Sequence, residues 1–96
     1  MKYFVWDNKK NEWLRKERGI SFEEAAFYIE QEENVLDIIE HPNQERYEGQ
    51  QIFIVDIEGY AYLIPFLEEE ETVFLKTVIP SRQATKKYLR KDKHNG

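Results

Sequence analysis

Three apolar segments separated by short polar turns dominate the second half of the 96-residue chain. Residues 52–57, 60–66 and 72–79 are rich in β-branched and aromatic side chains, a composition typical of β-strands. The Glu-Gly pair at 58–59 suits a tight hairpin turn, and the four-glutamate run at 68–71 suits a second turn. The sequence therefore predicts a three-stranded antiparallel meander. Because its second and third strands are apolar on both faces, we expect both faces of the sheet to be covered in part.

The first helix signal lies near the N-terminus. Asp7 can cap a helix that runs to about Arg18, and Gly19 suits the left-handed residue that ends such a helix. Within it, Trp13 and Leu14 form a narrow apolar stripe. We expect this stripe to face the core.

A stronger helix signal follows at once. Ser21 and Glu24 form an S-x-x-E capping box for a second helix, which runs to about Gln31. Residues 35–39 form another short apolar run, typical of a fourth strand. Residues 3–6 are aromatic and give a further strand candidate.

These elements predict one α+β domain, residues 1–91, with a flexible tail at 92–96. Two helices joined by so few residues should pack as a hairpin on an antiparallel sheet of about four strands. Pro65 places an edge or a bulge in its strand, because proline has no N–H for the ladder.

The third strand leads into a basic helix. Pro80 ends the strand, and Ser81 can cap a short helix that carries Arg82, Lys86 and Lys87. Such a junction presents backbone N–H groups and cationic side chains together. That combination suits a phosphate group.

The charge distribution supports a local basic site. Residues 76–96 hold seven Lys or Arg and one acid, whereas residues 1–75 hold seven Lys or Arg and eighteen acids. A chain of net charge −5 is not expected to coat nucleic acid generally, so any phosphate binding should be local and salt-sensitive.

Composition also limits the kind of site and the location. The chain has no cysteine, which excludes a disulfide framework and a thiolate metal site and suits a reducing cytoplasm. The N-terminus lacks a signal peptide's apolar stretch, and the longest apolar run, residues 60–67, is too short to span a bilayer. We therefore expect a cytoplasmic protein that uses no metal and no cofactor.

Motifs at both ends of the chain resemble the BrnT family of toxins from bacterial type II toxin–antitoxin pairs. The N-terminal motif has an aromatic-x-Trp-Asp-x-x-Lys segment followed by a Gly-Ile-x-Phe-Glu-x-Ala helix start. The C-terminal motif is a strand end followed by Arg-x-Ala-Thr and basic residues. The matching residues are Phe4, Trp6, Asp7, Lys10, Gly19, Ile20, Phe22, Glu23, Ala25, Ile79, Arg82, Ala84 and Thr85.

This resemblance implies a RelE-like α+β fold and ribonuclease activity. It also implies a ribbon-helix-helix antitoxin as partner. The protein would contact DNA only as part of the complex with that antitoxin. Three positions depart from the family pattern. Pro80 stands where the family has serine, Thr77 where it has a strand arginine, and Tyr88 where it has a helix glutamate.

RNA cleavage without a metal needs a base for the 2′-hydroxyl, cations for the phosphorane and an acid for the leaving oxygen. The residues predicted to carry this chemistry are Arg82, Arg46, Lys76 and His41; those predicted to bind RNA are Lys86, Lys87 and Tyr88. We expect His41 to lie close to the same sheet end as Arg82. The alternatives are surface ion pairs for Arg46, an edge-strand charge for Lys76 and core packing for Tyr88.

The leading hypothesis is a toxin-like ribonuclease neutralised by a cognate antitoxin. The alternative is a non-catalytic protein-interaction domain on the same fold, which the net acidity and the missing strand cation and helix carboxylate favour. A DNA-binding regulator acting alone is the weakest reading, because the only basic helix is the C-terminal one.

Overall fold

Two helices packed on one face of a mixed sheet form the body of the protein, as seen in a computed structural model that describes residues 2–89. The predicted tail at 92–96 and the end of the predicted domain at 91 lie outside the described residues. The strands are β1 (Tyr3–Val5), β2 (Val35–Glu40), β3 (Gln51–Ile57), β4 (Tyr60–Glu68), β5 (Thr72–Leu75) and β6 (Ile79–Pro80). The helices are α1 (Asn8–Arg18), α2 (Phe22–Glu30) and the short α3 (Arg82–Ala84), which continues as a π-helical segment (Thr85–Leu89); a 3-10 turn (Glu32–Asn34) precedes β2.

The predicted fold class is confirmed: two N-terminal helices, a sheet and a short C-terminal helix. The strand order is β1-β5-β4-β3-β2, with β6 paired to β4. The meander of β3, β4 and β5 is antiparallel, as predicted. The sheet is mixed rather than wholly antiparallel, because β1 pairs parallel with β5 and places Tyr3 opposite Thr72.

The third strand of the meander is interrupted, whereas the sequence predicts one strand over 72–79. Phe66 lies opposite Leu75, but Leu63 lies opposite Ile79. Two residues of β4 therefore face the three residues 76–78, which form a β-bulge. Pro65 lies opposite this bulge, and its carbonyl accepts the Lys76 N–H at 2.8 Å. The bulge is thus in the neighbouring segment and not, as predicted, in the strand of Pro65.

The predicted helix caps are confirmed. Asp7 Oδ2 accepts the Lys10 N–H at 3.0 Å at the start of α1, and Gly19 ends that helix with φ 68°. At the start of α2, Ser21 Oγ accepts the Glu24 N–H at 3.1 Å, and Glu24 Oε1 accepts the Ser21 N–H at 2.9 Å. Each cap satisfies backbone N–H groups that the first helical turn leaves unpaired.

One face of the sheet carries the main core. It is built from α1, α2 and the inward residues of β3, β4 and β5: Leu14, Phe22, Ala25, Ile29, Val55, Ile64, Phe66, Val73 and Leu75. The C-terminal helix covers part of the other face and packs Ala84 against Ile52, Ile54 and Ala61. Both faces are thus covered in part, as expected.

The apolar stripe of α1 differs from the prediction. Leu14 is buried, but Trp13 is 42% exposed, so the expectation that Trp13 faces the core is wrong. The position beside Leu14 on the buried face belongs to Asn11, three residues earlier on the helix. Its Oδ1 accepts the Phe22 N–H at 2.7 Å, and its Nδ2 donates to Glu23 Oε1 at 2.8 Å. This amide joins the two helices.

The contact between Asn11 and Glu23 predicts a loss of stability in acid. The hydrogen bond from Asn11 is the largest of the causes that lower the pKa of Glu23 below 4.5. The unfolded carboxylate therefore takes up a proton at higher pH than the folded one. The stabilising contribution is complete above pH 4.5 and is lost as the pH falls through the folded pKa.

Urea unfolding of the wild type and Glu23→Gln, at neutral pH and at steps below pH 4.5, measures this effect. We expect the wild type to be the more stable at neutral pH and its advantage to shrink in acid. Glu30→Gln, at an exposed position at the end of α2, is the control. A difference between wild type and Glu23→Gln that is constant with pH would contradict the prediction.

None of the helices within residues 2–89 has the length and apolar character needed to cross a membrane.

Candidate functional site

The C-terminal helix is fixed to the sheet at its N-cap residue. Ser81 caps it as predicted, because its Oγ accepts the Ala84 N–H at 3.0 Å. The Ser81 N–H donates to the Ala61 carbonyl of β4 at 3.0 Å. Ser81 therefore holds the start of the C-terminal helix against β4, directly before Arg82.

A buried threonine provides a second attachment. Thr85 Oγ1 accepts the Ala61 N–H at 2.9 Å and donates to the Ser81 carbonyl at 2.7 Å. Sequence reasoning did not find this role. The signal was local in part, since a threonine hydroxyl in a helix often bonds the carbonyl four residues earlier. The bond to β4 depends on tertiary structure.

These attachments position a cleft of about 380 Å³. It is lined by Tyr60, Arg82, Thr85 and Lys86. Arg82 and Lys86 are exposed, and four residues apart they share one side of the helix. Within residues 2–89, no carboxylate lies within ion-pair distance of either cation.

The cleft is suited to an anion. A guanidinium can bind a phosphate through two N–H groups, and an ammonium adds a second positive charge. The Tyr60 phenol supplies a hydroxyl and a ring beside them. Tyr60 was not among the predicted site residues, although the predicted meander already puts the start of β4 at the sheet end that the C-terminal helix reaches.

Lys87 and Tyr88, both predicted to bind RNA, line a different groove together with Asp37. The Tyr88 hydroxyl donates to Asp37 Oδ2 at 2.7 Å, and this hydrogen bond lowers the pKa of Asp37 and raises that of Tyr88. The Tyr88 ring packs against the core under the C-terminal helix. Core packing is the alternative role that the sequence predicts for Tyr88.

His41 and Arg46 lie together in the loop between β2 and β3. The His41 Nδ1 accepts the Asn43 N–H at 3.1 Å, and its ring centroid is 4.3 Å from that of Tyr47. The Arg46 guanidinium carbon is 5.6 Å from the Tyr47 ring centroid. The two predicted residues thus share one aromatic neighbour.

This loop is at the other end of the sheet from Arg82. Gln51, which follows the loop, pairs with Phe66, whereas Pro80, just before the C-terminal helix, pairs with Tyr62 near the opposite end of β4. The expectation that His41 lies close to the same sheet end as Arg82 is therefore wrong.

Lys76 is separate from both groups. It lies in the bulge rather than in the middle of a strand, and its Nζ is 5.0 Å from the Phe74 ring centroid. Together with Val5 and Leu67 it lines a shallow groove of about 320 Å³. Of the four predicted catalytic side chains, only Arg82 lies in the cleft.

A second charged surface escaped the sequence analysis. Residues 19–45 hold eight acids and no Lys or Arg. They form α2, the 3-10 turn and β2, which is an edge strand of the described sheet. This acidic surface also exposes three large apolar side chains, Phe27 at 57%, Ile38 at 49% and Ile39 at 37%.

Comparisons with known proteins add no constraint to this geometry. No protein-family model matches the chain, and no curated protein or solved structure matches it. Within residues 2–89, no group of three or more His, Asp or Glu side chains is arranged to hold a metal ion.

Proposed function

We propose that the protein is a toxin-like ribonuclease of the BrnT type, which acts in the bacterial cytoplasm without a metal and is neutralised by a ribbon-helix-helix antitoxin. The observation that carries the proposal is the cleft in which Arg82 and Lys86 lie beside Tyr60 with no carboxylate in ion-pair distance within residues 2–89. The motifs shared with the BrnT family support it.

In this proposal Arg82 binds the scissile phosphate and stabilises the charge of the phosphorane. Lys86, one helical turn later, adds a second cation. The Tyr60 hydroxyl is the group in the cleft that can protonate the leaving 5′-oxygen, and the proton of the attacking 2′-hydroxyl passes to a solvent water. His41 has no part in this chemistry, because its loop lies at the far end of β4.

The acidic surface supports the partner part of the proposal. Complementary charge speeds association and selects partners. A basic antitoxin would meet eight acids and no Lys or Arg over residues 19–45. This surface excludes an RNA backbone by repulsion, so RNA and antitoxin would contact different faces.

The second candidate is a non-catalytic interaction domain on the same fold. The separation of His41, Arg46 and Lys76 from the cleft favours it, because cleavage needs its acid, base and cations within reach of one phosphate. The departures at Thr77 and Tyr88 favour it too.

Induced expression in a bacterial host, with and without the cognate antitoxin gene, tests the proposal. We expect the wild type to arrest growth and fragment cellular RNA, the antitoxin gene to restore growth, and the double variant Arg82→Ala/Lys86→Ala to be harmless. Lys9→Ala, which removes an exposed cation from α1, is the control and should stay toxic. Normal growth and intact RNA while the folded wild type accumulates would contradict the proposal, and tight partner binding by that protein would select the second candidate.

A further inference from the structure

We propose that the RNA bound in the cleft is unpaired and extends to Trp13 on α1, where a nucleobase stacks on the indole. We call Trp13, with the neighbouring Lys10 and Arg18, the tryptophan platform. The inference rests on the proposed RNA-binding function and adds to it a second contact and a class of substrate.

The platform combines an accessible aromatic ring with two cations. Trp13 is 42% exposed, although it is among the most apolar side chains of α1. The Lys10 Nζ is 4.4 Å and the Arg18 guanidinium carbon 4.8 Å from the indole centroid. Proteins that bind single strands pair such rings, on which bases stack, with cations that follow the backbone.

One of these cations is held in place by the segment that leads to the cleft. Arg18 Nη1 donates to the Val78 carbonyl at 2.6 Å. Neither Lys10 nor Arg18 takes part in an ion pair within residues 2–89. Both cations lie over the indole without a neutralising carboxylate from the described part of the chain, so a base that stacks there would move the Lys10 ammonium from the ring to an adjacent phosphate.

The platform and the cleft lie at the same end of the molecule. Val78 and Arg82 are four residues apart, so their Cα atoms are separated by at most about 14 Å. Tyr62, which pairs with Pro80 between them, has its ring centroid 6.0 Å from that of Tyr60 in the cleft. The segment from Val78, which accepts the Arg18 hydrogen bond, to Arg82 thus joins the platform to the cleft.

The exposed indole selects unpaired RNA. A stacked base must offer its open face, which a duplex keeps against the neighbouring base pairs. Two cations in the cleft and two at the platform would bind phosphates of one flexible strand. Binding should therefore weaken as salt is raised.

Fluorescence anisotropy of a labelled, unstructured 2′-O-methyl RNA measures this contact, because that probe lacks the free 2′-hydroxyl needed for cleavage. We expect Trp13→Ala to weaken binding about 5- to 150-fold, the range of one base stack, and Trp13→Phe to retain part of the affinity. Phe27→Ala, which removes an exposed aromatic from α2, should bind as the wild type does. In a Trp6→Phe background, the probe should quench the fluorescence of Trp13, the only remaining tryptophan.

The outcomes separate this inference from the function on which it rests. If Arg82→Ala weakens binding while Trp13→Ala does not, and the probe leaves Trp13 fluorescence unchanged, the platform is refuted and the cleft stands. If the wild type binds no RNA, the proposed function fails and the platform with it. Equal affinity for a duplex probe would overturn the assignment to unpaired RNA. A Trp13→Ala variant that loses only antitoxin binding would overturn the inference and identify a protein interface.

Discussion

Replacing Arg82 by alanine is expected to slow RNA cleavage about 100- to 1,000-fold, the usual cost of removing one donor that stabilises transition-state charge. The side chain follows Ser81, which is bonded to Ala61, so the helix presents its guanidinium from a fixed point on β4. No carboxylate within residues 2–89 competes for it at ion-pair distance. Single-turnover cleavage of a labelled RNA, at saturating protein, measures the chemical step.

Two substitutions make this measurement specific to the cleft. Arg82→Lys keeps the positive charge but cannot bind a phosphate in a bidentate way, so we expect a cleavage rate between those of the wild type and Arg82→Ala. Arg46→Ala removes the same type of side chain from the loop at the opposite sheet end, and we expect less than about a twofold change because it is too far away to touch the same phosphate. Arg82 is exposed, so its loss should leave folding stability within about 0.5 kcal/mol. Equal losses at Arg46 and Arg82 would contradict a site confined to the cleft.

Features that depend on a few neighbouring residues could be predicted from the sequence. The caps at Asp7, Ser21 and Ser81 each bond a backbone N–H three residues later. The approach of Arg82 to Lys86 follows from helical spacing alone. These contacts do not depend on the structure of the rest of the chain.

Features that depend on distant pairing could not be predicted. Nothing local in residues 3–5 indicates a parallel partner in β5, and the bulge at 76–78 exists only in relation to β4. The exposure of Trp13 and the burial of Asn11 could not be predicted for the same reason. A buried amide is stable only where it finds partners, and those of Asn11 come from α2.

The misplacement of His41 had a cause that was visible in the sequence. Three antiparallel strands separate its loop from the C-terminal helix. A chain that passes through an odd number of antiparallel strands enters the sheet at one end and leaves it at the other. The predicted meander therefore already required His41 and Arg82 to lie at opposite ends. Tyr60, at the start of the middle strand, lies by the same rule at the end that Arg82 reaches.

The helix pair that supports the platform depends on one buried ring. Phe22→Ala is expected to lower the free energy of unfolding by about 3–5 kcal/mol, the cost of deleting a fully buried phenyl group. Phe22 is 0% exposed, and its ring is stacked on Trp6 with the centroids 5.6 Å apart. The total free energy of unfolding of a small domain is about 5–15 kcal/mol, so the variant should lose a large part of its stability. Urea unfolding followed by circular dichroism measures the change.

Phe27→Ala is the matched control, because it removes the same side chain from the same helix where it is 57% exposed. We expect its free energy of unfolding to stay within about 0.5 kcal/mol of that of the wild type. The two positions are five residues apart and point to nearly opposite sides of α2, so the comparison separates burial from helix propensity. Similar losses at both positions would mean that α2 does not pack through Phe22. In that case the bond from the Phe22 N–H to Asn11 would lose its support, and α1 would no longer hold Trp13 and Arg18 beside the segment that leads to the cleft.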